Sequence, residues 1–300
     1  MKKLTSALLG LLLLGFMRPS VANVADVDWL GRLSILGGAE SETWKRKDSA
    51  LGGASHGFGY IEGLAVIPVL PWLGIQMNLN YQPSGDATPR VGGSIAPIIG
   101  WSGGMMGSGG KAGFFFTDQF RMYPPRFEGQ SRQHNFWWIG PSLALYDLLP
   151  NTNTDVWLRV PVSSSSVNRT CVVGCDDTDK LFFPVGQLKA AVNWFPGPTP
   201  ISTKDNLELT LGIQVNGIAG VGQTNVGSGI GPVFGAALMP WQNVEVQLVK
   251  AAMDNHNRYR VTSGFQMYFD TSKNSTLLQL RRKYLEPTNL PGSVSSHSRR

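Results

Sequence analysis

Residues 207–216 read Leu-Glu-Leu-Thr-Leu-Gly-Ile-Gln-Val-Asn, and their alternation decides the fold class. Every odd position from Leu207 to Val215 is apolar, and every even position from Glu208 to Asn216 is polar or glycine. Successive side chains of a β-strand point to opposite faces, so this period of two predicts a strand with one apolar and one polar face. Residues 73–81 repeat the pattern.

About twelve such runs follow one another along the chain, and no comparable helical period is found before residue 270. The predicted strands are 27–37, 56–67, 72–82, 89–100, 111–122, 135–148, 155–161, 183–195, 205–217, 226–238, 241–250 and 258–269. Their links alternate in character. The links 68–71, 149–153, 195–204 and 239–240 are mostly short and contain proline, whereas 38–54, 123–134 and 162–181 are longer and polar. This alternation predicts an antiparallel sheet with tight turns at one end and loops at the other.

The composition excludes several classes of protein. Of the 300 residues, 42% are hydrophobic, which is too apolar for a disordered chain, and the 36 glycines have no three-residue period as in collagen. Only 15% are charged, against roughly 25% in an average soluble domain. No run of 18 or more apolar residues is present, so a helical membrane span is not expected.

The positive charge lies at the two ends of the chain. The net charge is +6, yet residues 23–269 carry 17 basic and 18 acidic side chains. Binding of nucleic acid needs a basic surface that can neutralise phosphates. We therefore expect no nucleic-acid partner for the body of the protein.

The N-terminus has the pattern of a bacterial export signal. Lys2 and Lys3 precede an apolar core from Ala7 to Met17, and Ser20-Val21-Ala22 supplies small residues for a signal peptidase. The sequence predicts a signal peptide over residues 1–22. Its apolar core is too short to span a bilayer, and no cysteine follows it to carry a lipid.

The two cysteines, Cys171 and Cys175, lie in a polar stretch between two apolar runs. In an exported protein such a pair predicts a disulfide. A redox or metal pair is the alternative, but three residues separate the cysteines and no histidine lies nearby. No metal site is expected.

Export, an even number of antiparallel strands and unequal ends are together typical of an outer-membrane β-barrel. Residues 231–247 resemble hairpins of small bacterial outer-membrane barrels, in which a glycine-rich strand turns tightly into one with alternating Val and Glu. The strand that ends at Phe269 is similar to their aromatic C-terminal strand. The resemblance implies a barrel over residues 23–269 of the bacterial outer membrane, with lipids as partners. A soluble β-sandwich is the alternative, disfavoured by the low charge and the many strands.

Aromatic residues near strand ends fit the interfacial girdles of such a barrel. They are Trp29, Trp72, Tyr81, Trp101, Trp194, Trp241, Tyr259 and Phe269.

Residues 270–300 extend beyond the terminal aromatic residue that commonly ends these barrels. They contain Leu277-Leu278-Gln279-Leu280-Arg281-Arg282-Lys283 and then a Pro/Ser-rich end. We expect a basic periplasmic tail, mostly flexible, with a helical turn or two. The alternative is a tail that binds peptidoglycan, an anionic lipid surface or a periplasmic partner.

The polar faces of the strands would face the lumen of the barrel. The charged residues assigned to line a pore are Arg32, Glu62, Arg90, Arg121, Arg159, Lys189, Glu208, Glu245, Arg258 and Arg260. The uncharged ones are Gln76, Asn78, Gln119, Asn193 and Gln214. Seven of the charged residues are basic and three are acidic, which favours anions in a pore. Arg–Glu pairs that block the lumen are an equal alternative.

These assignments predict a porin-like channel for passive transport of small polar solutes. A structural or adhesive surface barrel, with a blocked lumen and partner-binding loops 38–54 and 162–181, is the alternative. Catalysis and cofactors are not expected, since Ser55-His56-Gly57 and Asp254-Asn255-His256 lack the nucleophile spacing of outer-membrane lipases.

Overall fold

The computed structural model describes residues 27–46, 49–83, 90–103, 109–123, 131–169, 185–197, 205–220, 229–253, 259–269 and 275–286. Side chains are described for these residues except 41–46, 49–56, 121–123, 131–134, 163–169, 185 and 216–220. The predicted signal peptide and both cysteines lie outside the described residues. Residues 47–48 and 170–184 lie outside them as well.

Twelve β-strands and one short helix make up the described structure. The strands are β1 (Leu30–Arg46), β2 (Ser49–Leu70), β3 (Leu73–Gln82), β4 (Arg90–Ser102), β5 (Gly109–Tyr123), β6 (Ser131–Tyr146), β7 (Thr152–Arg169), β8 (Val185–Trp194), β9 (Leu207–Gly220), β10 (Gly229–Trp241), β11 (Val244–Met253) and β12 (Tyr259–Phe269). The helix is α1 (Leu277–Arg281).

The strands form a closed barrel. Each strand pairs antiparallel with its neighbours in sequence, and β1 closes the barrel on β12, with Gly31 opposite Phe269 and Glu40 opposite Arg260. Closure pairs the backbone groups of every strand, as a hydrocarbon environment requires. The predicted fold class, an antiparallel transmembrane β-barrel of twelve strands, is confirmed.

The structure corrects the predicted loop 38–54. Strands β1 and β2 continue through this region as one long hairpin, with Ala39 opposite Gly57 and Thr43 opposite Gly53. The predicted loops 123–134 and 162–181 are also shorter than expected, because β6 begins at Ser131 and β7 ends at Arg169. Glycine and serine interrupt the apolar alternation in these stretches, so the sequence pattern ended before the strand pairing did.

The two faces of the barrel wall differ as predicted for a membrane barrel. Side chains that face outward are apolar and exposed, including Ile35, Leu79, Ile95, Leu211 and Phe265. A barrel presents such a band to lipid. Among the predicted girdle residues, Trp29, Trp72, Tyr81, Trp194, Trp241 and Phe269 are exposed outside the barrel.

The connections at residues 71–72, 147–151 and 242–243 lie at one end of the barrel, which we call the turn end. Asn243 there has a positive φ of 61°, a conformation that asparagine tolerates better than most residues. Strand β1 begins at this end and strand β12 ends at it, so residues 27 and 269 lie at the turn end. The opposite end is called the loop end.

Residues 275–286, which we call the luminal segment, follow the last strand and enter the barrel at the turn end. The segment contains α1, and Thr276 caps the helix with Gln279 in a capping box. Leu277, Leu280 and Leu285 of the segment are fully buried. We expected residues 270–300 to be mostly flexible; this part of them instead packs inside the barrel. The only described helix is too short to cross a membrane.

Candidate functional site in the barrel lumen

The predicted pore-lining residues with described side chains all face the interior. Seven of them are buried: Arg32, Glu62, Arg90, Arg159, Lys189, Glu208 and Glu245. Arg260 is mostly buried beside Glu40. The side chains of Arg121 and Arg258 lie outside the described residues. That these residues line a pore stays a prediction.

Most of the described interior side chains are closely packed. Arg90 is 1% exposed, Lys189 2% and Glu245 0%, whereas Lys250 beside the remaining cavity is 29% exposed. A cavity of about 50 Å³ remains among polar residues toward the turn end. A water molecule needs roughly 10–15 Å³ by this measure, so the cavity holds only a few waters.

Near the loop end, residues of the barrel wall pair with one another. The carboxylate of Glu40 lies 2.9 Å from the guanidinium of Arg90 and 3.3 Å from that of Arg260. Gln82 donates a hydrogen bond to the same carboxylate, and Arg260 lies over the ring of Phe58 at 4.2 Å. We call Glu40, Gln82, Arg90 and Arg260 the loop-end cluster. Within this cluster, one carboxylate of the wall pairs with two guanidinium groups of the wall.

Two further wall arginines also have partners in the wall. Arg32 pairs with Glu62, which accepts a hydrogen bond from the hydroxyl of Tyr60 at 2.5 Å. Arg159 donates to Gln187 and lies 5.1 Å from the ring centroid of Trp138. Arg–carboxylate and arginine–aromatic contacts of this kind fix the charges inside the barrel.

Toward the turn end, the partner of the wall carboxylates is Arg281 of the luminal segment. Its guanidinium donates to Glu208 at 2.5 Å and to Glu245 at 2.7 Å. It also donates to the hydroxyls of Tyr268 and Tyr284. Glu208 and Glu245, on β9 and β11, are called the anionic pair. One guanidinium thus pairs with both buried carboxylates.

A second residue of the luminal segment, Glu286, binds two wall lysines. Each carboxylate oxygen lies 3.0 Å from the ammonium of Lys189, and the ammonium of Lys250 binds the same carboxylate. Burial opposes the charge of Glu286, but the two lysines outweigh it, so its pKa lies below the usual value of 4.5. Lys189 and Lys250, on β8 and β11, are called the cationic pair.

Hydrogen bonds to the backbone hold the remainder of the luminal segment. The side chain of Gln76 donates to the carbonyl of Leu285 at 2.8 Å and accepts from its N–H at 2.9 Å. Lys111 donates to the carbonyl of Lys283, and Tyr146 donates to the carbonyl of Arg282. These bonds fix the chain after α1 against three different strands.

An apolar layer surrounds these contacts at the turn end. Leu277, Leu280 and Leu285 belong to a buried cluster with wall residues on several strands. The wall members include Leu30, Leu64, Val66, Ile98, Phe115, Phe195, Met239 and Tyr268. Gly113 leaves room for Leu285, because a Cβ there would lie 2.8 Å from Leu285 Cδ1. Burying three leucines stabilises the docked segment by roughly 1.5–3 kcal/mol per side chain.

The sequence assignments missed several interior residues. Glu40 was placed in a predicted loop, and Lys250 follows a β-bulge between Gln247 and Lys250 that shifts the alternation of β11. The bulge brings Lys250 opposite Thr262, whose side chain faces inward. Asp155, which accepts a hydrogen bond from Asn193, was also missed. For Arg281 and Glu286 the sequence offered one signal, the apolar run of α1 that precedes them.

The described residues contain no group of three or more His, Cys, Asp or Glu side chains that could hold a metal ion. The side chains of His56, His134, His256 and His297 lie outside the described residues. The expectations about metals and catalysis stay predictions.

No protein-family model matches the chain, and no curated protein matches its sequence. Solved structures of outer-membrane barrels are similar to it. The translocator domain of the autotransporter NalP from Neisseria meningitidis is 8% identical, over 89% of this chain and 95% of that chain, with a TM-score of 0.47. An outer membrane channel from Pseudomonas putida F1 is 11% identical, over 84% and 99%, with a TM-score of 0.48. At TM-scores below 0.5 these likenesses carry no function over, and the fold class rests on the strand order of this chain.

Proposed function

We propose that the protein is an outer-membrane channel for small polar solutes, closed at rest by the luminal segment. Conduction requires displacement of this segment. One observation carries the proposal: four wall charges toward the turn end, those of the anionic pair and the cationic pair, have ion-pair partners in the segment. In the loop-end cluster, by contrast, Glu40 pairs with Arg90 and Arg260 of the wall itself.

The charges of the wall support a preference for anions once the segment is displaced. The described inward-facing cations are Arg32, Arg90, Lys111, Arg159, Lys189, Lys250 and Arg260. The inward-facing anions are Glu40, Glu62, Asp155, Glu208 and Glu245. Cations exceed anions, and a net basic lumen favours anionic solutes.

A structural or adhesive barrel with a permanently blocked lumen is the second candidate. The observation that favours it is the apolar layer at the turn end, since solutes do not cross a packed hydrophobic layer. In that case the extracellular surface would carry the function.

Single-channel recording in planar bilayers tests the proposal. We expect the wild-type protein to be mostly silent and the variant Arg281→Ala/Glu286→Ala to conduct in stable steps, with a reversal potential that favours anions. The matched control is Arg282→Ala/Lys283→Ala, which removes two neighbouring charges that pair with Asp147 and Asp28. We expect the control to stay silent.

The permanently blocked barrel gives a different result. If the Arg281→Ala/Glu286→Ala variant retains the heat-modifiable migration of a folded barrel and carries no current, the channel is excluded.

A further inference from the structure

We infer that the lumen contains a binding site for a small zwitterionic solute, one with a guanidinium or ammonium group at one end and a carboxylate at the other. The luminal segment fills this site as an internal substitute ligand. The inference rests on the proposed function, because a solute reaches the site only when the segment is displaced.

The site has two subsites of opposite charge. Glu208 and Glu245 form the anionic one and accept hydrogen bonds from the guanidinium of Arg281. Lys189 and Lys250 form the cationic one and bind the carboxylate of Glu286. The wall thus presents charges that one positive and one negative group satisfy together.

The two subsites face the same space. Glu208 and Lys250 both line the cavity of about 50 Å³, as do Arg281 and Glu286 of the segment. Displacement of the segment would join this cavity to the volume that its side chains occupy. One flexible solute molecule could then reach both subsites.

The burial of the wall charges gives the site its selectivity. Three of the four are buried, with Glu245 0% exposed, Lys189 2% and Glu208 6%, and the side chain of Lys250 is 29% exposed. Buried charges that lose their partners are costly, so the emptied site favours any solute that restores both ion pairs. A solute with a single charge leaves one subsite uncompensated. The site therefore distinguishes a zwitterion from a simple anion or a simple cation.

Blockade of single-channel current in the conducting variant Arg281→Ala/Glu286→Ala tests the inference. The zwitterionic probes are 4-guanidinobutanoate and 6-guanidinohexanoate, and the controls are butylguanidine and pentanoate, which carry one charge each. We expect either zwitterion to block half of the current at a concentration at least tenfold lower than either control. Equal blockade by all the compounds would overturn the inference and leave the channel itself intact.

Further substitutions in the same variant test which charged group of the solute each subsite binds. Lys250→Met is expected to weaken blockade by the zwitterions and pentanoate at least fivefold, without changing that by butylguanidine. Glu208→Gln is expected to weaken blockade by the zwitterions and butylguanidine only. Arg159→Met removes an inward-facing cation outside the site and serves as the control. Identical effects of Lys250→Met and Arg159→Met would mean that only the overall charge of the lumen matters.

Two further measurements keep the inference separate from the proposed function. If the variant carries no current, calorimetric titration of the folded protein in detergent still measures binding of the zwitterions, and absence of binding overturns the inference. If the variant does not fold, wild-type protein is used. A zwitterion that competes with the segment must speed amide hydrogen exchange at residues 277–285 at least threefold, while the single-charge controls must not. Unchanged exchange overturns the inference.

Discussion

The lumen is filled by different means at its two ends. Near the loop end, Glu40 is compensated by Arg90 and Arg260, and all three residues belong to strands of the wall. Toward the turn end, Glu245 and Lys189 are compensated by Arg281 and Glu286 of the luminal segment. The loop-end cluster belongs to strands of the barrel, whereas the partners at the turn end belong to a stretch of chain outside the strands, which the proposed function requires to be displaced.

The proposed displacement of the segment would account for the ion pairs between segment and wall. Desolvation offsets much of the Coulomb attraction in a buried ion pair, so these pairs add little net stability to a lumen that stays filled. Buried charges whose partners lie on a separable segment instead allow two states, one docked and one hydrated. The predictions below measure docking of the segment by amide hydrogen exchange at residues 277–285.

The largest effect is expected for Arg281→Ala. Removal of this guanidinium leaves Glu245 and Glu208 without their cation, and breaking a buried ion pair from one side costs about 3–5 kcal/mol. Exchange at residues 277–285 should therefore rise at least a hundredfold, or reach the rate of a free segment. The matched control is Arg282→Ala, because Arg282 and Asp147 form a partly exposed pair. Such pairs contribute about 0.2–1 kcal/mol. Equal effects of the two changes would show that Arg281 does not anchor the segment.

The next effect is expected for Leu280→Ala. Leu280 is 0% exposed within the apolar layer, and truncation of a buried leucine costs about 2–5 kcal/mol. Docking should weaken while the barrel keeps its heat-modifiable migration. Leu211→Ala is the control, since Leu211 is 71% exposed on the lipid-facing surface. An equal rise of exchange in the control would mean that the substitutions act on the whole barrel.

Substitution of two glutamines on β3, one at each end of the lumen, compares how the two ends affect docking of the segment. Gln76 and Gln82 are both fully buried, but Gln76 binds the backbone of Leu285, whereas Gln82 donates to Glu40 of the loop-end cluster. Gln76→Ala leaves the N–H and the carbonyl of Leu285 without partners, which costs about 1–3 kcal/mol of docking. Gln82→Ala should leave exchange at residues 277–285 unchanged. A similar loss in both variants would contradict the independence of the two ends.

Much of the wall could be predicted from the sequence, because lipid outside and polar residues inside impose a period of two on each strand. All twelve strands were found, and the interior position of Glu208, Lys189 and Glu245 followed from the alternation. Lys250 was missed because a β-bulge shifts the alternation, and a bulge leaves no clear mark in a single sequence.

The filling of the lumen could not be predicted in the same way. The alternation predicts which side chains face inward. It does not predict whether water, other side chains or another segment contacts them in the lumen. The apolar residues 277, 278 and 280 are visible in the sequence, but we expected them to belong to a mostly flexible tail. Their partner remained unknown, because the apolar layer of the wall comes from residues such as Leu30, Ile98 and Phe195 on distant parts of the chain.

The smallest effect on docking is expected when the pH is lowered and the carboxylate of Glu286 becomes protonated. Its pKa is lowered in the docked state by Lys189 and Lys250, from an undocked value of 4.5. A carboxyl group with a lowered pKa stabilises docking above its undocked pKa, and this contribution is lost as the pH falls. Between pH 7 and pH 3.5 docking should weaken by about 1 kcal/mol through this group, because pH 3.5 lies below the undocked pKa.

The variant Glu286→Gln isolates this contribution. The other inward-facing carboxyl groups, Asp155, Glu208 and Glu245, are present in both proteins, so the difference between the two pH profiles reports on Glu286. We expect the wild-type profile, corrected for intrinsic exchange, to steepen below pH 4.5 relative to that of the variant. Parallel profiles would mean that the carboxylate of Glu286 contributes no charge to docking, and that the cationic pair has another partner in solution.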